Sequence, residues 1–135
     1  LIVEPGTPEG YARILRARGQ LIGLGADIAA PCPGMGECPL PEGDWCHFTA
    51  RVSRSRLHKQ LKGGDVPYED EKFCFIAASR VGVSPCAARI LRHPRVDSGR
   101  ITLDLCAGNG REQRVVTKKS PQFKQARKSA AGDAF

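Results

Sequence analysis

Three cysteines lie in one proline- and glycine-rich stretch, and a fourth ends an apolar run far along the chain. Cys32, Cys38 and Cys46 fall within residues 31–46, and Cys106 follows Cys46 by sixty residues. Proline and glycine exclude regular structure from this stretch, so these three cysteines lie on a loop that cannot pack by itself. Thiolates gathered in this way indicate a metal or iron–sulfur site that joins the front of the chain to its back.

The cysteine spacing alone leaves the kind of site open. It differs from the paired short knuckles of a zinc ribbon and from the compact cysteine run of a ferredoxin. Zinc could use the same four sulfurs, or His47 in place of one of them. Three disulfides in an exported protein are less favoured, because no secretory signal is visible and the cysteines are clustered. Of the other two cysteines, Cys74 is predicted to be a core thiol and Cys86 a loop thiol or a spare ligand.

The net charge of +7 is concentrated in two segments of the chain. Residues 45–64 contain five lysines and arginines and no acid, and residues 111–128 contain seven against Glu112 alone. A short acidic block at residues 65–71 lies between them. This basic–acidic–basic layout fits a nucleic-acid-binding face with a solvated interruption. The residues predicted to contact RNA are Arg51, Arg54, Arg56, Lys59, Lys62, Lys118 and Lys119.

The first part of the chain carries the strand, turn and helix signals of an α/β fold. Residues 1–3 are apolar and predict the end of a buried strand. Thr7 is a suitable N-cap, with Pro8 in the first helical position. A strand, a tight turn and a helix in this order are typical of the end of a doubly wound sheet. Further along we expect a strand at 46–52, a helix at 54–61 with Leu57 and Leu61 facing inward, and a strand at 72–79.

A domain boundary is predicted near residues 81–88, dividing the chain into segments 1–80 and 81–135. The second segment is expected to be a β-rich, basic extension. Asn109-Gly110 is a strong two-residue hairpin signal, because both positions tolerate a positive φ. The expected elements are strands at 89–93, 100–106 and 112–117, a helix from residue 121 and a frayed tail at 129–135.

Residues 103–110 resemble the glycine-rich loop of enzymes that use S-adenosylmethionine (SAM). Such a loop follows the first strand of its sheet and opens a helix. Only 29 residues follow Cys106, and residues 113–117 are strand-like. A hairpin is therefore favoured over a cofactor loop. No general-base pair and no nucleophile with an evident partner is present, so whether the chain is an enzyme stays open.

A set of short motifs runs along almost the whole chain in a fixed order. They are Glu4-Pro5-Gly6-Thr7-Pro8, Ala30-Pro31-Cys32-Pro33, Cys38-Pro39, Asp44-Trp45-Cys46-His47-Phe48, Arg54-Ser55-Arg56-Leu57-His58, Tyr68-Glu69-Asp70-Glu71-Lys72-Phe73 and Arg92-His93-Pro94-Arg95. In this order they resemble the methyltransferase-like assembly proteins of the small ribosomal subunit. Members of that family occur in mitochondria and in many bacteria.

The resemblance implies a fold, a cofactor and partners. The fold would be the C-terminal part of a SAM-methyltransferase-like doubly wound sheet, with a cysteine-rich metal loop and a small β-rich extension. The cofactor would be a [4Fe–4S] cluster held by Cys32, Cys38, Cys46 and Cys106. The partners would be small-subunit ribosomal RNA and ribosomal proteins, in the mitochondrial matrix or the bacterial cytoplasm. SAM binding would require the family's N-terminal half, which this chain lacks.

The favoured hypothesis is an iron–sulfur, rRNA-binding module of a factor for small-subunit assembly or translation. The alternatives are the catalytic part of a SAM-dependent rRNA methyltransferase, or a zinc-stabilised interaction domain. No stretch approaches the roughly 20 apolar residues of a membrane span, so no membrane partner is expected. Leu1 lies inside a predicted strand, which indicates a piece of a longer chain or of a larger assembly.

Overall fold

The structure, a computed structural model, describes residues 1–135 as two β-sheets and three helices. Residues 80–87 connect the two sheets, and the division into two domains at this point stays a prediction. None of the helices has the length and the hydropathy needed to cross a membrane. In chain order the elements are β1 (Ile2–Pro5), α1 (Pro8–Gly23), β2 (Asp27–Ala30), β3 (Phe48–Ser53), α2 (Arg56–Lys62), β4 (Tyr68–Ser79), β5 (Ala88–Ile90), β6 (Arg95–Asp97), β7 (Arg100–Ala107), β8 (Gly110–Thr117) and α3 (Phe123–Lys128).

The first sheet is built around the long strand β4, which pairs with β1, β2 and β3. All three pairings are antiparallel. Helix α1 packs on this sheet, and the buried core between them contains Ile14, Ile28, Cys74 and Ile76. The mixed α/β class is therefore confirmed. The doubly wound sheet is not confirmed within this chain, because a doubly wound sheet needs mostly parallel neighbours and helices on both faces.

Helix α1 begins as the sequence predicts. The Thr7 side chain accepts a hydrogen bond from the backbone N–H of Gly10 at 3.1 Å, and Pro8 occupies the first turn. The helix starts directly after β1, so its first turn lies against the end of that strand. A Cβ atom on Gly10 would stand 2.0 Å from the carbonyl oxygen of Pro5. Only glycine therefore permits this close approach of helix and strand.

We expect Gly10→Ala to destabilise the protein by about 1–3 kcal/mol, because the added methyl group must push helix and strand apart. Gly19→Ala is the matched control, since a Cβ at this position of the same helix meets nothing within 4 Å. It should stabilise the protein by about 0.5–1 kcal/mol, because alanine loses less backbone entropy in a helix. Urea unfolding of both variants measures the difference. Equal effects would contradict the close packing at Gly10.

The second sheet consists of β5, β6, β7 and β8. Strands β5, β6 and β8 each pair antiparallel with β7. Ile101, Leu103 and Leu105 of β7 are fully buried against α3 and β8, whereas the even-numbered residues of β7 face the opposite side. The predicted β7–β8 hairpin is present. Its turn residues are Gly108 and Asn109 rather than Asn109-Gly110, because Ala107 pairs with Gly110.

The C-terminal tail is ordered against the second sheet, so the prediction of a frayed tail is wrong. Gly132 and Phe135 donate backbone hydrogen bonds to Ile90 and Ala88 at 2.8 and 2.9 Å, and Ile90 donates to Asp133 at 3.0 Å. The Phe135 ring packs against the core of the sheet. The tail thereby satisfies backbone groups of β5 that an edge strand would leave unpaired.

Strands β3 and β4 extend beyond the body of the first sheet and carry α2 between them. Leu57 and Leu61 are 64% and 78% exposed, so the prediction that they face inward is wrong. No residue of α2 is buried, and the helix contacts β4 through ion pairs to Glu69 rather than through an apolar face. β4 begins at Tyr68, four residues before the predicted start, and so includes most of the acidic block.

Candidate metal centre and basic surface

The four cysteines predicted as ligands line one cavity of about 280 Å³. Cys32, Cys38 and Cys46 reach it from the loop at residues 31–46, and Cys106 reaches it from the end of β7. Side chains alternate between the two faces of a strand, and Leu103 and Leu105 point into the core of the second sheet. Cys106 therefore faces the opposite side. The structure therefore brings sulfurs from both ends of the chain together. Their role as ligands stays a prediction.

These thiols lie in an environment that disfavours free thiolates. Burial, together with neighbouring cysteines, raises the pKa of Cys46 to about 12 and the pKa of Cys106 to about 11. Burial also raises the pKa of Cys32, although the nearby Arg18 guanidinium opposes that shift. A bound cation would reverse this balance, since a coordinating thiol is deprotonated outright. The set is thus suited to sharing a positive centre rather than to acting as separate nucleophiles.

Arg18 of α1 is a buried cation beside this cavity. Its side chain is 8% exposed, and no carboxylate lies within 4 Å of its guanidinium. Its Nη2 donates to the carbonyl oxygens of Gly34 and Gly36 at 2.9 and 2.7 Å, but its buried Nε has no hydrogen-bond partner. A buried charge without a counter-charge costs several kcal/mol. Arg18 therefore favours a site whose net charge is negative once the charge of its thiolates is counted.

Three arginines in and beside the second sheet hold the cysteine loop at both ends. Arg89 donates from Nε to the carbonyl oxygen of Pro31 at 3.0 Å. At the other end, Arg92 forms an ion pair with Asp44 and donates to the carbonyl oxygen of Trp45 at 3.2 Å. Arg111 donates from Nη1 to Asp44 at 3.1 Å. Asp44 thus lies between two guanidiniums, two residues before Cys46.

Further contacts fix the loop to the first sheet. The Tyr11 hydroxyl lies 2.9 Å from the sulfur of Cys38, and burial followed by this contact raises the pKa of Tyr11. Trp45 donates from Nε1 to the carbonyl oxygen of Gly6 at 3.0 Å. Buried Cys74 donates to the carbonyl oxygen of Cys46 at 3.0 Å and also lines the cavity. The loop is therefore bound on both sides by groups that the cysteine pattern does not indicate.

The donor set fits a thiolate-bound group, with one qualification on its geometry. No three His, Cys, Asp or Glu side chains stand close enough together to hold a single metal ion as they lie. The four sulfurs line the same cavity and interact electrostatically with one another. Four thiolates can bind a cationic centre here, and the guanidiniums of Arg18 and Arg89 and the Tyr11 hydroxyl can balance the net negative charge of the bound complex.

The predicted basic surface is partly neutralised. Register between β3 and β4 places Arg51 opposite Asp70, and the two form a bidentate ion pair at 2.8 and 2.9 Å. Arg54, His58 and Lys62 all surround the carboxylate of Glu69. Most of the acidic block is exposed to solvent, as expected, but residues 69–71 are strand partners of the basic segment rather than a separate interruption.

Four of the residues predicted to contact RNA keep a free charge. No carboxylate lies within 4 Å of Arg56, Lys59, Lys118 or Lys119, whereas Arg51, Arg54 and Lys62 are paired. Arg56 and Lys59 lie on α2, and the two lysines follow β8. All seven side chains stay candidates for RNA contact, but the unpaired four are the ones whose charge is available to a phosphate.

Comparison with known proteins identifies the family of this chain. The whole chain, residues 1–135, matches the family described as mitochondrial small ribosomal subunit Rsm22. The chain belongs to the Rsm22 family. This confirms the family that the sequence motifs resemble.

Two curated relatives show how much of an Rsm22-type protein this chain covers. They are the mitochondrial Rsm22-cox11 tandem proteins 1 and 2 of Schizosaccharomyces pombe, each 25% identical to this chain over 183 aligned positions. The alignment covers 100% of this chain and 24% of each relative. The chain thus spans about a quarter of the length of these relatives and corresponds to one segment of an Rsm22-type protein.

Proposed function

We propose that this chain is a cofactor-stabilised, rRNA-binding module of an Rsm22-type protein of the small ribosomal subunit. Cys32, Cys38, Cys46 and Cys106 hold the cofactor, which is a [4Fe–4S] cluster. The observation that carries this proposal is a single cavity lined by these four thiols and by a buried arginine that lacks a carboxylate. When bound, the cluster supplies cross-links between the loop at residues 31–46 and the end of β7.

The resemblance of the sequence motifs supports a cluster over zinc. A zinc ion needs every sulfur about 2.3 Å from one centre, so its ligands must converge closely. In a [4Fe–4S] cluster each cysteine binds a different iron, so the sulfurs stand further apart. All four sulfurs line the same cavity, and the sequence motifs resemble a family in which four cysteines hold such a cluster. A zinc-stabilised interaction domain remains the alternative. Measurement of the metal content of the protein distinguishes it from this proposal.

Charge and family support the RNA part of the proposal. The chain carries a net charge of +7, and Arg56, Lys59, Lys118 and Lys119 have no acidic partner. Cations that are free of internal ion pairs release counterions when they contact phosphates, which makes such binding strong at low salt. The Rsm22 family description names the mitochondrial small ribosomal subunit. Ribosomal RNA and neighbouring ribosomal proteins are therefore the proposed partners, in the mitochondrial matrix or in a bacterial cytoplasm.

A methyltransferase-like sheet in the longer protein has one supporting observation. β1 and β2 are each antiparallel to β4, so they run in the same direction, and α1 connects them. This is the strand–helix–strand order of a doubly wound fold. The β7–β8 hairpin occupies the segment that resembles a SAM loop, so this chain offers no strand–turn–helix site for that cofactor. Catalysis would require the rest of the protein.

Anaerobic purification of the full-length protein tests the proposal. We expect about four irons and four acid-labile sulfides per chain, a brown colour that fades in air, and little zinc. Small-subunit ribosomal RNA should bind with an affinity that falls steeply as salt rises. A colourless protein with one bound zinc would contradict the cluster and favour the zinc-stabilised interaction domain. Failure to bind this RNA at low salt would remove the RNA part of the proposal.

A further inference from the structure

A second cavity, of about 220 Å³, lies on the outer face of the second sheet and is lined only by polar and charged residues. Its position follows from strand register, because Arg95 of β6 pairs with Thr102 of β7, and Asp104 of β7 pairs with Gln113 of β8. These side chains share the face that the buried residues of β7 leave free. The walls are Arg92, His93, Arg95, Thr102, Asp104 and Gln113.

The charges around this cavity leave an excess of positive charge and free donors. Both oxygens of Asp104 accept hydrogen bonds from Arg111, at 3.0 and 2.7 Å, so its carboxylate is already satisfied. Arg92 is held by Asp44. Arg95 has no carboxylate within 4 Å, and its side chain makes no hydrogen bond within the protein. The side chains of His93, Thr102 and Gln113 likewise make none.

We propose that this cavity binds a phosphate group, and that in the assembled particle the phosphate belongs to the RNA backbone. This inference rests on the proposed RNA-binding function. It adds a site that the distribution of charge along the sequence does not indicate. Arg95 supplies a guanidinium fork that matches phosphate oxygens, and the Thr102 hydroxyl and Gln113 amide add neutral donors. Side chains of these three types are common phosphate contacts in nucleic-acid complexes.

One side chain of this cavity also holds the cysteine loop. Arg92 lines the cavity and holds Asp44 and the Trp45 carbonyl oxygen, next to Cys46. The position of Arg92 therefore depends on the order of the cysteine loop. A phosphate bound here would lie beside the Arg92–Asp44 ion pair that fixes this loop to the second half of the chain.

The test compares two exposed arginines of the same sheet in the full-length protein. Arg95→Ala removes the free cation of the cavity, and Arg100→Ala is the control because Arg100 lies outside it and pairs with Asp97. Binding of transcribed small-subunit ribosomal RNA is measured over a range of salt. Arg95→Ala should weaken binding several-fold and reduce the slope of log affinity against log salt by about one. Arg100→Ala should leave the slope unchanged.

Inorganic phosphate separates the two possible sources of the ligand. Its titration should shift the backbone amide signals near Thr102 and Gln113 in the wild-type protein but not in Arg95→Ala, and phosphate should compete with RNA. Phosphate binding without competition would overturn the assignment to RNA. Equal effects of Arg95→Ala and Arg100→Ala on RNA affinity would overturn the site while leaving RNA binding by the module intact. If the wild-type protein does not bind this RNA, both the phosphate site and the proposed RNA-binding function are overturned.

Discussion

Replacing Cys46 with serine is expected to abolish cofactor binding and to lower the stability of the chain by more than 3 kcal/mol. Cys46 joins the loop at residues 31–46 to Cys106, sixty residues away, through the proposed cofactor. Closing a loop of this length costs about 3–4 kcal/mol in chain entropy, which the cofactor must offset. A structural metal site can contribute on the order of 10 kcal/mol. Iron content and thermal unfolding under anaerobic conditions measure both effects.

Cys74→Ser is the matched control for this prediction. Cys74 is fully buried and lines the same cavity, but its sulfur donates to the carbonyl oxygen of Cys46. A serine hydroxyl can donate to the same oxygen, so this variant should keep its iron. Cys106→Ser should behave as Cys46→Ser does. If Cys106→Ser retained the cofactor while Cys46→Ser lost it, the fourth ligand would not come from β7.

The features that the sequence predicts correctly are local in the chain. Thr7 and Pro8 begin α1, because N-capping and the fixed φ of proline act within one helical turn. The β7–β8 hairpin forms for the same kind of reason, although pairing of Ala107 with Gly110 moves its turn by one residue. Such features depend on neighbours a few positions apart. No knowledge of the remaining fold is needed to infer them.

The features that sequence reasoning missed depend on contacts between distant segments. Pairing of β3 with β4 sets Arg51 opposite Asp70 and thereby neutralises part of the expected RNA surface. The tail is ordered because residue 135 reaches β5, some 45 positions earlier in the chain. Register and edge pairing of this kind follow from tertiary packing. Charge counted along the sequence therefore overstated the number of free cations.

Arg18 is the residue of the metal centre that the sequence could have indicated. It lies four positions after Ile14 and seven after Tyr11, so the helical period places it on the apolar face of α1. A cation on a buried helical face needs a partner, and no acid lies on that face. The remaining parts of the site, such as the Asp44 clamp, join segments that are far apart in the sequence. They could be seen only in the structure.

Arg18→Gln should weaken retention of the cofactor and lower its midpoint potential by tens of millivolts. Four thiolates give the cofactor site a net negative charge, and reduction adds another. Removing a buried positive charge beside Cys32 therefore disfavours the reduced state more than the oxidised state. For a one-electron couple, about 59 mV corresponds to a tenfold change in equilibrium constant. Anaerobic redox titration and the rate of iron release to a chelator measure the two effects.

Two further variants separate the charge of Arg18 from its role in packing. Arg18→Lys keeps the charge but loses the fork that binds the Gly34 and Gly36 carbonyl oxygens, so it should restore most of the potential while stabilising the loop less. Arg16→Gln removes an exposed, unpaired cation from the same helix and should change neither the potential nor iron release. A purely structural Arg18 would lower stability without moving the potential. That result would contradict the assignment of Arg18 as the counter-charge of the cofactor site.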